Sequence, residues 1–117
     1  SMRQAFQELV LGESVFDPSA ELAVSSSHLI DLVASDPAAI GYVTLQTVPA
    51  GQRVRALMVD GVRASLAAAR ENEYPLVVSI YFVTREEPAG ATRDFLEWIL
   101  SAEGQAVMRE QHIGLND

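Results

Sequence analysis

Apolar residues at Met2, Ala5, Phe6, Leu9 and Val10 recur at the spacing of one helix face. They predict a first helix that ends near Gly12, a residue suited to the left-handed position that closes many helices. From Glu13 to Val24 the pattern weakens, and the stretch reads as a mobile loop with a turn at Asp17-Pro18. Ser25-Ser26-Ser27 then precedes a second apolar stripe of Leu29, Ile30 and Val33. Serine caps helix starts because its oxygen accepts an orphan backbone N–H. Pro37 disfavours helical backbone at the residue before it, so this second helix stops by Asp36.

Three β-prone runs follow. Ala39 to Leu45 is apolar on both faces, with Ile40 and Tyr42 on one and Val43 and Leu45 on the other, the pattern of a strand inside an α/β layer. Pro49-Ala50-Gly51 is a turn, and Val54 to Val59 is a second strand ended by Asp60-Gly61. Ser65 to Arg70 is a short Ala-rich helix broken at Asn72 to Pro75. Leu76 to Thr84 is the most β-prone run of all, with Val77, Val78, Ile80, Tyr81, Phe82 and Val83. After a loop from Glu86 to Gly90, Ala91 to Leu100 is a helix with Phe95, Leu96 and Ile99 as its stripe and Trp98 beside them. Ser101 caps a last helix in which Val107 and Met108 face inward. No repeat, low-complexity tract or interdomain linker interrupts residues 1–117, which read as a single domain. The expected fold class is α/β, with a small mixed sheet of about three strands flanked by helices.

Composition narrows the function classes. The chain has 117 residues, 49% hydrophobic and 21% charged, as in ordinary folded domains and unlike disordered ones. Its net charge is -8, and the eight basic residues are all arginine. That field opposes binding to nucleic acid or to an anionic membrane surface. There is no cysteine, so disulfides and Cys-based zinc sites are excluded. No apolar run approaches the roughly 18 residues of a membrane helix. No signal peptide opens the chain, and Ser1-Met2 reads as a tag remnant before a start residue.

Candidate chemistry is sparse. Ser25, Ser26 and Ser27 offer three hydroxyls at a helix N-terminus, where free N–H groups and the helix dipole favour an oxyanion; the same residues also suit plain helix capping. His28 and Asp31 share a helix face but lack further ligands at metal-binding spacing, so no metal is expected. The acidic pairs Glu71/Glu73 and Glu86/Glu87 lie in polar, turn-rich stretches without the burial that acid–base work requires. No phosphate loop, nucleophile elbow or HExxH motif is present, and the chain reads as neither an enzyme nor a cofactor protein.

Several segments together resemble one family. Ala39-Ile40-Gly41-Tyr42-Val43 after Asp36-Pro37, Val54 to Gly61 followed by Tyr74-Pro75-Leu76, and Phe95 to Gln105 around Trp98-Ile99-Leu100-Ser101-Ala102-Glu103-Gly104 are similar to phosphate-type solute-binding proteins of ABC importers. Arg3 to Gly12 is similar to the family's helix after its anion-binding turn, and His112-Ile113-Gly114-Leu115 to its ending. The pieces occur in family order across nearly the whole chain.

The resemblance implies a partial lobe of the type II periplasmic-binding-protein kind, the C-terminal part of a two-lobe fold with the N-terminal lobe absent. The family's Ser-Gly-Thr turn would end where this chain begins, with Met2 in the register of its Thr, so most of the ligand shell is expected to be missing. Arg3 and Tyr42 would face the interlobe cleft. The implied partners of the intact protein are phosphate or a similar oxyanion and an ABC permease, and its implied location is periplasmic or extracellular at the membrane. Apolar surface left open by a missing lobe would make a homodimer, in a domain-swapped form if an element is exchanged. The rival expectation is a non-catalytic oligomerising α/β domain with no small-molecule ligand.

Overall fold

Ser25, Ser65 and Ser101 each place a hydroxyl oxygen on the backbone N–H three residues ahead, at 3.1, 3.1 and 3.2 Å, and a helix starts behind each. These caps organise a computed structural model that describes residues 1–51, 53–115 and 117. Its helices are α1 (Met2–Phe6), α2 (Ser26–Ser35), α3 (Leu66–Arg70), α4 (Gly90–Leu100) and α5 (Ala102–Arg109). The chain divides into two units, Ser1–Ala64 and Ser65–Asp117.

In the first unit α1 continues directly into a π-helical turn, Gln7–Leu11. The wide turn closes at Gly12, whose N–H donates to the Gln7 carbonyl at 2.8 Å. Gly12 has φ 57° and ψ -118°, a backbone open to glycine and strained for other residues. The Gln7 side chain reinforces this end by donating to the carbonyls of Gly12 and Ser14 at 2.8 and 2.6 Å. Asp17 accepts from the Ser19 N–H at 2.8 Å and forms the expected turn, and its carboxyl pKa is lowered by the bond from the Ser19 hydroxyl first and by this backbone bond second. Helix α2 runs as the sequence predicts and stops at Asp36 in extended backbone.

The expected sheet is not there. Among the described residues, β pairing is confined to one isolated antiparallel bridge between Val59 and Val62. The bridge closes a tight turn in which Asp60 and Gly61 both have positive φ, 51° and 79°, the geometry favoured in two-residue hairpins. It cannot lengthen, because only Arg63 and Ala64 remain before Ser65 is committed to capping α3. Ala39–Leu45 and Leu76–Thr84 also fail to pair. Strand propensity measures how well a side chain fits a pleated surface beside a neighbour, and no neighbour is supplied here. The Ala39–Leu45 run ends in a short 3-10 turn at Leu45–Thr47, where the Thr47 hydroxyl donates to the Thr44 carbonyl at 2.6 Å. Its Ile40 is 79% exposed, and in the third run Tyr81 and Val83 are 80% and 88% exposed. The α/β class and the partial periplasmic-binding-type lobe with its three-stranded sheet are therefore corrected to a chain that is helical, with no sheet among the described residues.

The second unit is built on the α4–α5 corner. Ser101 both ends α4, donating its N–H to the Glu97 and Trp98 carbonyls, and starts α5. Ile99, Gly104 and Gln105 are buried there, with Ala68 of α3 as the other buried apolar residue among those described. Phe95 and Trp98 remain exposed beside one another, ring centroids 6.3 Å apart, with Phe82 edge-on to Phe95 at 6.4 Å. Val107, expected to face inward, is exposed, while Met108 is half-buried. The accessible surface is 9223 Å². A folded monomer of 12.7 kDa exposes about 6,200 Å², so much apolar area that a core would hide stays in solvent.

Candidate functional site

The five candidate residues fall into two groups, both in the first unit. Arg3 and Tyr42 meet around an aromatic cluster. The Arg3 guanidinium carbon lies 4.1 Å from the centre of the Phe16 ring. Phe6 stacks on Tyr42 at 4.4 Å with the planes 15° apart, and Phe16 sits 5.8 Å from Phe6. A cation over an aromatic face contributes about 0.5–1 kcal/mol at an exposed site. Gln7 makes this possible, since tying down Gly12 and Ser14 turns the chain that carries Phe16 back towards α1.

Helix α2 packs on Gly41, the residue before Tyr42. Leu29 and Val33 of that helix press on the neighbouring Gly41, where a Cβ would lie 2.6 Å from Leu29 Cδ2 and 3.2 Å from Val33 Cγ2. Glycine at 41 lets the helix come this close. The apolar stripe read from the sequence thus covers the backbone that presents Tyr42.

Ser25, Ser26 and Ser27 form the second group, at the start of α2. The Ser25 oxygen accepts from the His28 N–H, and His28 Nδ1 in turn accepts from the Val24 N–H at 3.2 Å. This reciprocal cap occupies one lone pair of the Ser25 oxygen and leaves its proton free to donate. The N–H groups of Ser26 and Ser27 have no acceptor within the helix, as at every helix start. All three serines are exposed. Among the described residues, no hydrogen bond or ring contact joins this group to the Arg3–Tyr42 cluster.

His28 is thus a capping residue, and Asp31 pairs with Arg53 at 3.4 Å instead of with His28. Both partners of that ion pair are mostly exposed, so it contributes at most about 1 kcal/mol. Among the described residues, no group of three or more His, Cys, Asp or Glu is placed to hold a metal ion. No helix among them is long and apolar enough to cross a membrane.

The ring partners Phe6 and Phe16 escaped the sequence reading. Phe6 was visible as part of a helix stripe, but Phe16 lies in a stretch with no periodicity to mark it.

Over 102 residues the chain is 34% identical to the phosphate-binding protein PstS 2 of Streptococcus agalactiae, a match that covers 85% of this chain and 34% of that protein. PstS 2 of Streptococcus pneumoniae is 31% identical with the same coverage. The phosphate-binding protein PstS of Bacillus subtilis is 28% identical over 90 residues, 76% of this chain and 30% of that protein. The chain spans about a third of the length of the curated relatives it matches. No protein-family profile matches it, and no solved structure does.

Proposed function

Because this chain is related over 85% of its length to phosphate-binding proteins of the PstS kind, we propose that it acts as part of the solute-binding component of an ABC importer for phosphate or a related oxyanion. The sequence relationship carries the proposal. It is a binding role outside the cytoplasm, at the membrane beside an ABC permease, with no catalytic step. In this reading the α2 start is the anion-facing element, where Ser25, Ser26 and Ser27 donate hydroxyl and backbone protons along the helix dipole. Arg3 and Tyr42 supply a guanidinium and a phenol from the aromatic cluster.

Affinity of the 117-residue chain for inorganic phosphate is expected to be about millimolar, since exposed helix-dipole contacts are worth only about 0.3–1 kcal/mol each. Amide NMR shifts on titration with phosphate at constant ionic strength test this. Shifts should concentrate at Ser26, Ser27 and His28 and shrink in Ser26→Ala/Ser27→Ala. Silent amides at all three positions would sink the assignment of these serines. A micromolar constant would show that the ligand shell is far more complete than this geometry provides.

A second reading is favoured by the open apolar runs, above all Val77 to Val83 with Phe95 and Trp98. In it the chain is a ligand-free oligomerising domain that hides this surface against a second copy, as a homodimer formed by docking or by element exchange. Light scattering decides: a dimer whose melting is unmoved by phosphate supports it, and a monomer at tens of micromolar rejects it.

A further inference from the structure

In the second unit, two arginines from different helices converge on one carboxylate. Arg109 Nε donates to Asp117 Oδ1 at 2.6 Å. The Gly114 N–H donates to Asp117 Oδ2 at 2.8 Å. Arg70 Nε lies 3.4 Å from the same Oδ2, close enough for attraction, yet it makes no hydrogen bond and is shielded from solvent. Arg70 is fixed in this place by its other end, which donates to the main-chain carbonyls of Arg109 and His112 at 2.5 and 3.3 Å. Gly114 fits against the Arg109 side chain, where a Cβ would come 2.8 Å from its Nε. Beside this group opens a shallow cavity of about 410 Å³, lined also by Ala106 and Glu110.

The arrangement has the parts of an oxyanion cradle: two guanidiniums held in position, one backbone N–H aimed at the same point, and an anionic group already lodged between them. Arg109 and Gly114 hold the Asp117 carboxyl below the usual carboxylate range, so the cradle favours negative charge. The fit is incomplete, however. A carboxylate offers two oxygens in one plane, and it leaves the Arg70 Nε–H without an acceptor. A buried donor left unpaired is unfavourable, because it has given up its bonds to water for nothing. A tetrahedral oxyanion carries its oxygens in three dimensions and would meet all three donors together.

We propose that Arg70, Arg109 and the Gly114 N–H form an oxyanion site for inorganic phosphate or sulfate, separate from the α2 serines and occupied at rest by the chain's own Asp117. Asp117 competes with the ligand, and Glu110 lowers the affinity further by its charge. Displacing Asp117 would break its bonds to Arg109 and to the Gly114 N–H, while the Leu115 N–H stays on Gln105.

The test uses the full 117-residue chain and titrates it with sodium phosphate and, separately, sodium sulfate, against sodium chloride at equal ionic strength. Asp117→Asn removes the competing charge and should tighten binding of both anions by about tenfold or more, with the largest amide shift at Gly114. Adding Arg109→Gln to Asp117→Asn should abolish that gain, whereas adding Ser26→Ala/Ser27→Ala should leave it intact. Equal anion affinity in the wild type and Asp117→Asn overturns the proposal, as does a gain that survives Arg109→Gln. Should Asp117→Asn fail to fold, the wild type decides alone: at 50–100 times the anion concentration that shifts α2, an unmoved Gly114 amide rejects the site.

Discussion

Replacing Gly104 with alanine is expected to destabilise the Ser65–Asp117 unit by about 2–3 kcal/mol, which for a unit of this length is a large part of its total stability. A Cβ at position 104 would run into the Trp98 carbonyl oxygen and lie 2.7 Å from Ile99 Cα and 2.8 Å from the Ile99 carbonyl oxygen. All three are backbone atoms, so no side-chain rotation relieves the overlap. The corner itself would have to open, and with it the seat of Ile99, one of the few buried apolar side chains. Urea unfolding of Gly104→Ala beside the wild type measures this. An unchanged midpoint would mean that α4 and α5 do not meet as closely as the structure has them.

The second large effect belongs to Gln105. The residue is 7% exposed, and its side chain makes two hydrogen bonds across the unit. Nε2 donates to the Ile99 carbonyl at 2.8 Å, at the end of α4, and Oε1 accepts from the Leu115 N–H at 2.9 Å. One side chain thus ties α5 both to the preceding helix and to the tail beyond it. Gln105→Leu keeps the volume and removes both bonds, leaving a carbonyl and an N–H without partners. The Ile99 carbonyl is buried and costs about 1–3 kcal/mol without a partner, whereas the Leu115 N–H belongs to an exposed residue and adds less, so a loss of about 2–3 kcal/mol is expected. The thermal midpoint should fall by roughly 8 °C or more. Amide exchange at Leu115 should accelerate even below that temperature, because its acceptor is gone. A stable variant with a protected Leu115 would contradict the keystone role.

The helix starts were the most legible part of the sequence. A serine before an apolar stripe specifies a cap through purely local chemistry, and Ser25 and Ser101 cap as expected, while Ser65, read as the first residue of its helix, proves to be the cap in front of it. Asp60-Gly61 was equally readable, since the two residues carry the turn by themselves. The strands were misread because pairing is not local. Leu76 to Thr84 has every residue a strand wants, yet a strand exists only when another backbone takes up its N–H and C=O groups. Non-locality also hid the Arg70–Asp117–Arg109 group, because Arg70 stands far in sequence from the other two and nothing in the spacing joins them. The serines of the candidate anion site were visible as residue types, and the structure adds the His28 cap that engages Ser25. Arg3 was readable only through the family resemblance, as a residue facing a cleft; its place over the Phe16 ring depends on the Gln7 tie.

The exposed run from Leu76 to Thr84 has a consequence for how this polypeptide behaves when concentrated. Its nine residues contain no charge and no proline. Uncharged segments of high β propensity are the stretches that stack into cross-β fibrils once several copies meet. Pro75 stands on one side of the run and Arg85-Glu86-Glu87 on the other, the kind of flanking residues that obstruct such stacking. Colloidal life for this chain therefore rests on four neighbouring gatekeepers and on the mutual repulsion of a net charge of -8.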